Sequence, residues 1–361
     1  PRPRARRSLE GPRAPPDGRT GLDAPAESSP GGALQRPAGW AMAPGSLAAW
    51  AVQVLREPAA AEKAAKTRAA LAAWRAGGLP ASLPDDPPCP ARPARDGAVT
   101  VIAARNLPRR GKGGTLASRQ AILHSLAHIE SWAIDLAWDA VARFGAAERL
   151  PREFFHDFAV LAEDECRHFE MLEQRLRDLG SHYGAFPAHD GLWDSAEATA
   201  GDFCARMAVE HCVHEARGLD ALPQTIARFR SNGDPETAEV LEGTVYPEEV
   251  THCAAGLRWF RHVCERRRAE VGGRGGGGGG GGGGDDGGEE GDFVIREFHA
   301  CVRKHFRGPL KPPFNAAARA KAGFTPEWYE PLVDNGMNGR EGRPAAGAPA
   351  AADESQKRNS S

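Results

Sequence analysis

The sequence predicts an all-α protein: a four-helix bundle carrying a dinuclear metal site, with a helical extension before it and short helices after it. Three observations lead there. Long stretches between residues 115 and 270 place apolar side chains three and four apart, and no alternating strand pattern interrupts them. The pattern Glu-x-x-His occurs twice, as Glu165-Cys166-Arg167-His168 and Glu249-Val250-Thr251-His252. Upstream of each, in a separate helical segment, stands a glutamate: Glu130 lies 35 residues before Glu165, and Glu215 lies 34 before Glu249.

In chain order, residues 1–45 are rich in Pro, Gly, Arg and Ala and lack periodic apolar positions, so a disordered segment is expected. Residues 46–78 form a helical extension. Ser46 is a candidate N-cap, Pro58 divides the extension into two helices, and Gly77-Gly78 ends it. A proline-rich connector covers 79–114.

The core follows over 115–270. Its first helix spans 117–144, with Ile122, Leu126, Ile129, Ala133 and Leu136 as its apolar stripe. The second spans 152–179, with Phe155, Phe158, Leu161, Phe169, Leu172 and Leu176, and Gly180 supplies the left-handed residue that closes it. The third is expected from Asp194 to Arg230, with a break at Gly218 or Pro223. Ser231-Asn232-Gly233-Asp234-Pro235 combines a turn, an N-cap and an N1 proline, so the fourth begins at 235 and runs to 270, bent at Pro247. Residues 271–291 read as a flexible glycine-rich insertion, 292–332 as a helical segment packing on the core, and 333–361 as a disordered tail.

Composition narrows the function. The formal net charge is −2, from 46 basic and 48 acidic residues, which makes no electrostatic case for nucleic acid or an anionic membrane. The clusters Arg266-Arg267-Arg268 and Arg109-Arg110 fit solvated faces. No apolar run reaches the length of a membrane span. Seven cysteines, at 89, 166, 204, 212, 253, 264 and 301, form no C-x-x-C pair and suit reduced thiols in an intracellular compartment. The cytoplasm is the expected location; the arginine-rich first residues leave an organelle open.

Residues i and i+3 of a helix share a face, so each Glu-x-x-His aims a carboxylate and an imidazole together. A dinuclear site needs carboxylates that reach both ions and an imidazole on each. Four helices provide this when two give one Glu and two give Glu-x-x-His. The expected ligands are Glu130, Glu165, His168, Glu215, Glu249 and His252. A lone Glu-x-x-His is usually a solvated pair, but two with matched upstream partners are hard to obtain by chance. Carboxylate and imidazole ligands suit two ions of iron, or else manganese.

Rival residues are Asp164, Glu248 and Glu210, which lack the i, i+3 relation or the matching offset. His211 reads as an outer or solvent residue, with direct ligation as the alternative. His124, His128 and Asp135 are expected to be packed or surface side chains hydrogen-bonded nearby, with orientation of an imidazole as the alternative for Asp135. Core packing accounts for Cys166, Cys253, Trp132, Trp138 and Trp259.

Leu126-Ala127-His128-Ile129-Glu130, Ala162 to Phe169, His189-Asp190-Gly191-Leu192-Trp193, Glu215 to Asp220, Glu249 to His252 and Pro312-Pro313-Phe314-Asn315 resemble a family of ferritin-like proteins, domain of unknown function 455. The resemblance runs from about Ser46 to Leu332. It implies a ferritin-like fold and a dinuclear site at the six residues above. Pro247 and His211-Cys212 depart from the pattern. No reaction comes with the family; a tRNA-modifying hydroxylase is a distant analogue.

The leading expectation is a di-iron oxidoreductase or hydroxylase acting with dioxygen on a small molecule or modified nucleoside, and needing an electron donor. The alternative is a non-catalytic metal-binding or stress-related scaffold. A homodimer is compatible with either.

Overall fold

The computed structural model of this chain describes residues 44–108, 112–275 and 286–333. The expected disorder of residues 1–43 and 334–361 lies outside the described residues, as does Arg109-Arg110. The described residues belong to one unit, Pro44–Ser361.

Two short helices open it, α1 (Leu47–Leu55) and α2 (Ala60–Arg75), separated at Pro58. Ser46 caps α1 by accepting the Ala49 amide at 3.0 Å. The described residues of the connector then run without a helix longer than one turn to the hairpin of α3 (Leu116–Phe144) and α4 (Arg152–Asp178). Thr115 caps α3 through the Ser118 amide. Gly180, at φ +76°, ends α4 in a double-bonded cap: Ser181 N–H reaches Leu176 O at 2.8 Å, and Gly180 N–H reaches Arg177 O at 2.9 Å. Helix α1 packs on α3 and α2 on α4. The extension is therefore part of the core. Lys63 of α2 is buried against buried Asp135 of α3, which also pairs with Arg95 at 2.6 Å. Asp135 thus ties the extension to the bundle and orients no imidazole.

The inward face of α3 is set one residue away from the expected stripe. Leu123, Ala127, Glu130, Ile134, Ala137 and Val141 are buried, whereas Ile129 is 43% exposed. The buried face mixes large aliphatics, Leu123, Ile134 and Val141, with the alanines Ala127 and Ala137. The buried face is also the one that carries Glu130. On α4 the expected stripe is buried throughout.

The third helix differs from expectation. It breaks at 199–202, between α5 (Gly191–Ala198) and α6 (Phe203–Ala208), where Asp202 accepts the Cys204 amide and starts a new helix. From there α6, a π turn (Val209–His214) and α7 (Glu215–Ser231) form one continuous rod through Gly218 and Pro223. Pro223 has no N–H for the carbonyl of Leu219 four residues back. The Asn315 amide donates to that carbonyl at 3.1 Å instead, which explains why the helix survives its proline.

Asp234 caps α8 (Pro235–Val240), with Pro235 in its first turn. A second π turn (Leu241–Val245) leads into α9 (Tyr246–Gly275), so Pro247 lies in the first turn after a widened stretch and the helix continues past it. Helix α9 extends to Gly275 and α10 (Asp286–His305) begins at Asp286, narrowing the expected insertion to 276–285, outside the described residues. Two short helices, α11 (Ala316–Lys321) and α12 (Pro326–Tyr329), come last among the α-helices of the described residues. Among the described residues the extended pairing is an isolated bridge, Val101–Ala188, so the class is all-α.

Candidate metal centre

Four helical elements bring the six expected residues together. Glu130 comes from α3, Glu165 and His168 from α4, Glu215 from the start of α7, and Glu249 and His252 from α9. Their ligand atoms form two groups, each with all atoms within 4.8 Å of one another: Glu130, Glu165, His168 and Glu249; and Glu215, Glu249 and His252. Glu215 is half-buried and the other five are buried.

The carboxylates of Glu165 and Glu249 each present one oxygen to each imidazole. Glu165 lies 3.4 Å from His168 Nδ1 through Oε2 and 3.0 Å from His252 Nδ1 through Oε1. Glu249 lies 3.8 Å from His168 Nδ1 through Oε1 and 3.9 Å from His252 Nδ1 through Oε2. Glu130 reaches only the His168 side, at 4.0 Å, and Glu215 falls in the His252 group. The result is a near-twofold arrangement in which two carboxylates span both imidazoles and one further carboxylate lies at each end.

Both imidazoles turn Nδ1 inward and Nε2 outward. His168 Nε2–H donates to Glu248 at 2.7 Å, and His252 Nε2 lies 3.5 Å from Asp164. A carboxylate only accepts, so Nε2 carries a proton, and Nδ1 is the nitrogen whose proton must leave for a lone pair to face the cluster. The supports are exchanged: the acidic residue preceding Glu165 backs the histidine of α9, and the one preceding Glu249 backs the histidine of α4. Arg167 joins both supports, at 2.9 Å from Asp164 and 2.6 Å from Glu248. Asp164 and Glu248, rivals as ligands in the sequence, thus stand behind the imidazoles. Their signal was an acidic residue immediately before each motif glutamate.

Charge shows how unusual the cluster is without a cation. Burial, together with Glu165 and Glu249, pushes Glu130 well above the usual carboxylate range; burial and Glu249 do the same to Glu215, and burial and Glu165 raise Glu249. Burial opposes ionisation of Glu165, but His252 and His168 outweigh it and hold that carboxyl low. Burial likewise opposes a charge on His168, yet Glu165 and Glu248 raise it to about 9. His252 is carried well above its ordinary value by Glu165 and Asp164 against burial. Protons therefore occupy positions that cations could take. Glu165 Oε2, His168 Nδ1 and His252 Nδ1 are buried without a hydrogen-bond partner, which suits them as ligand atoms. The donor set, oxygen and imidazole nitrogen, fits a divalent metal ion.

Neighbouring candidates fall outside the two groups. His211 packs edge-on against Phe158 with ring centroids 4.9 Å apart, and burial followed by Arg206 lowers it to about 3. Glu210 is buried on the π turn, and burial raises it to about 7. His128 Nδ1 meets the Tyr183 hydroxyl at 2.9 Å and its Nε2 accepts from Trp132 at 3.2 Å, while His124 accepts the Gly184 amide. These histidines hold the 181–193 loop, not a metal. Cys166, Cys253, Trp132, Trp138 and Trp259 are all buried, as core packing requires. Arg266 and Arg267 close on Glu148 at 2.7 and 2.8 Å, so that basic run is engaged within the protein. A surface pocket of about 390 Å³ adjoins the centre between α4 and α9, lined by Val160, Leu161, Asp164, Val250, His252 and Arg258.

The fold and site define an all-helical protein with a buried Glu/His cluster that could hold a metal ion. Residues 56–330 match the family described as "Protein of unknown function (DUF455)", and the chain belongs to that family. It is 37% identical over 229 residues to an uncharacterized protein of Haemophilus influenzae, a match covering 62% of this chain and 71% of that relative. No solved structure matches. No helix among the described residues is long and apolar enough to cross a membrane.

Proposed function

We propose that this chain is a ferritin-like carboxylate protein that holds two metal ions, iron in its working form, and uses them for oxygen-dependent oxidation or hydroxylation of an organic substrate. The observation that carries the reading is the pair of carboxylates, Glu165 and Glu249, each with one oxygen toward each inward Nδ1. Glu130 and His168 would complete one position, Glu215 and His252 the other. Bound as a pair, such metals supply the electrons that activate dioxygen.

The chain's own contribution is positional. Glu248 and Asp164 keep the imidazole protons on Nε2, leaving Nδ1 free to bind. Arg167 holds both supports in register across α4 and α9. Burial of five of the six ligands keeps bulk water from the centre, and Glu215 is the member most open to solvent. Four carboxylates and two neutral imidazoles leave two divalent ions close to neutral, which makes burial of so many charges tolerable.

The test is reconstitution of metal-stripped protein with Fe(II) without oxygen, followed by oxygen uptake in an electrode cell with a reductant present. Uptake well above that of free Fe(II), lost in His252→Ala, is the expected outcome. Bound iron with uptake no faster than free Fe(II) overturns the oxidative reading in favour of a metal-binding scaffold.

A further inference from the structure

A second redox-capable pair lies apart from the cluster. Cys204, near the start of α6, and Cys264, in the second half of α9, place their sulfurs 3.8 Å apart, at 5% and 4% exposure. The Arg267 guanidinium donates to Cys204 Sγ at 3.4 Å and also pairs with Glu148 at 2.8 Å. The two thiols therefore differ: a cation backs Cys204, while none contacts Cys264 in this way. The Cys204 contact and burial raise Cys264, keeping it a protonated partner. Cys301 of α10, half-buried, lies within electrostatic reach of the pair. The remaining thiols lack this arrangement: Cys166, Cys212 and Cys253 are fully buried, and Cys89 contacts Asp139, a carboxylate that disfavours a thiolate.

We infer that Cys204 and Cys264 form a peroxide-oxidisable dithiol, with Cys204 as the attacking sulfur and Cys264 as the resolving one. The reaction balances with hydrogen peroxide as oxidant. The Cys204 thiolate attacks one peroxide oxygen, the O–O bond breaks, and the departing hydroxide leaves as water with the proton that the thiol gave up. Cys264 then attacks the sulfenic sulfur as it gives up its own proton; the S–S bond forms, the S–O bond breaks, and the hydroxyl leaves with that proton as a second water. Two electrons pass from the two thiols to one peroxide. The sulfurs must close from 3.8 Å to about 2.05 Å. Closure would tether α6, which continues into the helix bearing Glu215, to α9, which bears Glu249 and His252.

The test uses the full chain after metal removal with a chelator, so that no bound metal reacts with peroxide. One equivalent of hydrogen peroxide should remove two of the seven thiols, and peptide mass mapping should find Cys204 joined to Cys264, reversibly with dithiothreitol. Cys264→Ser should instead leave a dimedone-reactive sulfenic acid on Cys204. Arg267→Ala should slow thiol loss several-fold, because the cation beside Cys204 Sγ is removed. Retention of all seven thiols, a bridge through Cys301 or Cys89, dimedone labelling elsewhere, or an unchanged rate in Arg267→Ala overturns the inference.

Discussion

Replacing Glu248 by alanine isolates the role of the residues behind the imidazoles. Glu248 touches none of the inward ligand atoms; it accepts from His168 Nε2 at 2.7 Å and from Arg167 at 2.6 Å. Its loss frees the ring to rotate and lets the proton move to Nδ1, the atom a metal needs. Substitution of such a support typically costs 10–100-fold in metal affinity, about 1.4–2.7 kcal/mol. Asp164 stands farther from His252, at 3.5 Å, so Asp164→Ala should fall at the lower end of that range. Glu248→Gln keeps an acceptor oxygen and should recover part of the loss. Competition against a chromophoric chelator at fixed pH measures each affinity, with circular dichroism confirming unchanged helicity. Wild-type affinity in Glu248→Ala, or a larger loss in Asp164→Ala than in Glu248→Ala, refutes the reasoning.

Three other outcomes rest on named contacts. Asn315→Ala strips the Leu219 carbonyl of its donor and should cost about 1–3 kcal/mol in denaturant unfolding; adding Pro223→Ala, which restores a helical N–H, should recover part of that cost, and strict additivity of the two changes contradicts it. Lys63→Met leaves Asp135 buried with Arg95 alone and should destabilise by about 3–5 kcal/mol, readable in the same assay; a change under about 1 kcal/mol counts against the buried pair. In metal-free protein His168 titrates near 9 against an ordinary 6.5, so the folded state holds a proton the unfolded chain has released between those values; the stability it contributes is complete below pH 6.5 and lost as pH rises through about 9. His252, Glu130 and Glu215, also raised, act in the same sense. The unfolding temperature of metal-free protein should therefore fall from pH 6.5 to 9, and metal binding at pH 7 should release protons; a flat profile with no proton release contradicts this.

Much of the candidate site was legible because its chemistry is local. A Glu and a His three apart on a helix share a face whatever the rest of the chain does, and offsets of 35 and 34 residues place the upstream carboxylates at similar depth. Caps at Ser46 and Asp234 and the glycine closing α4 were legible for the same reason. What depends on distant partners was not. Pro223 looks like a break until Asn315, far along the chain, supplies the missing donor. Asp164 and Glu248 look like spare ligands until α4 and α9 are packed together, when each backs the other helix's histidine. The buried face of α3 was misplaced because apolar residues stand on both sides of the helix, Ile129 exposed and Leu123, Ile134 and Val141 buried, and the π turns before Glu215 and Glu249 have no sequence signature of their own.

The central claim is that four carboxylates and two imidazoles hold two metal ions. Metal-stripped protein reconstituted with Fe(II) under argon, desalted and analysed for metal tests it most directly, beside Glu165→Ala treated identically. Two irons per chain in the wild type and fewer than one in Glu165→Ala, with helicity unchanged, is the predicted result. A wild-type chain that retains no iron, or a Glu165→Ala chain that retains as much as the wild type, contradicts the account.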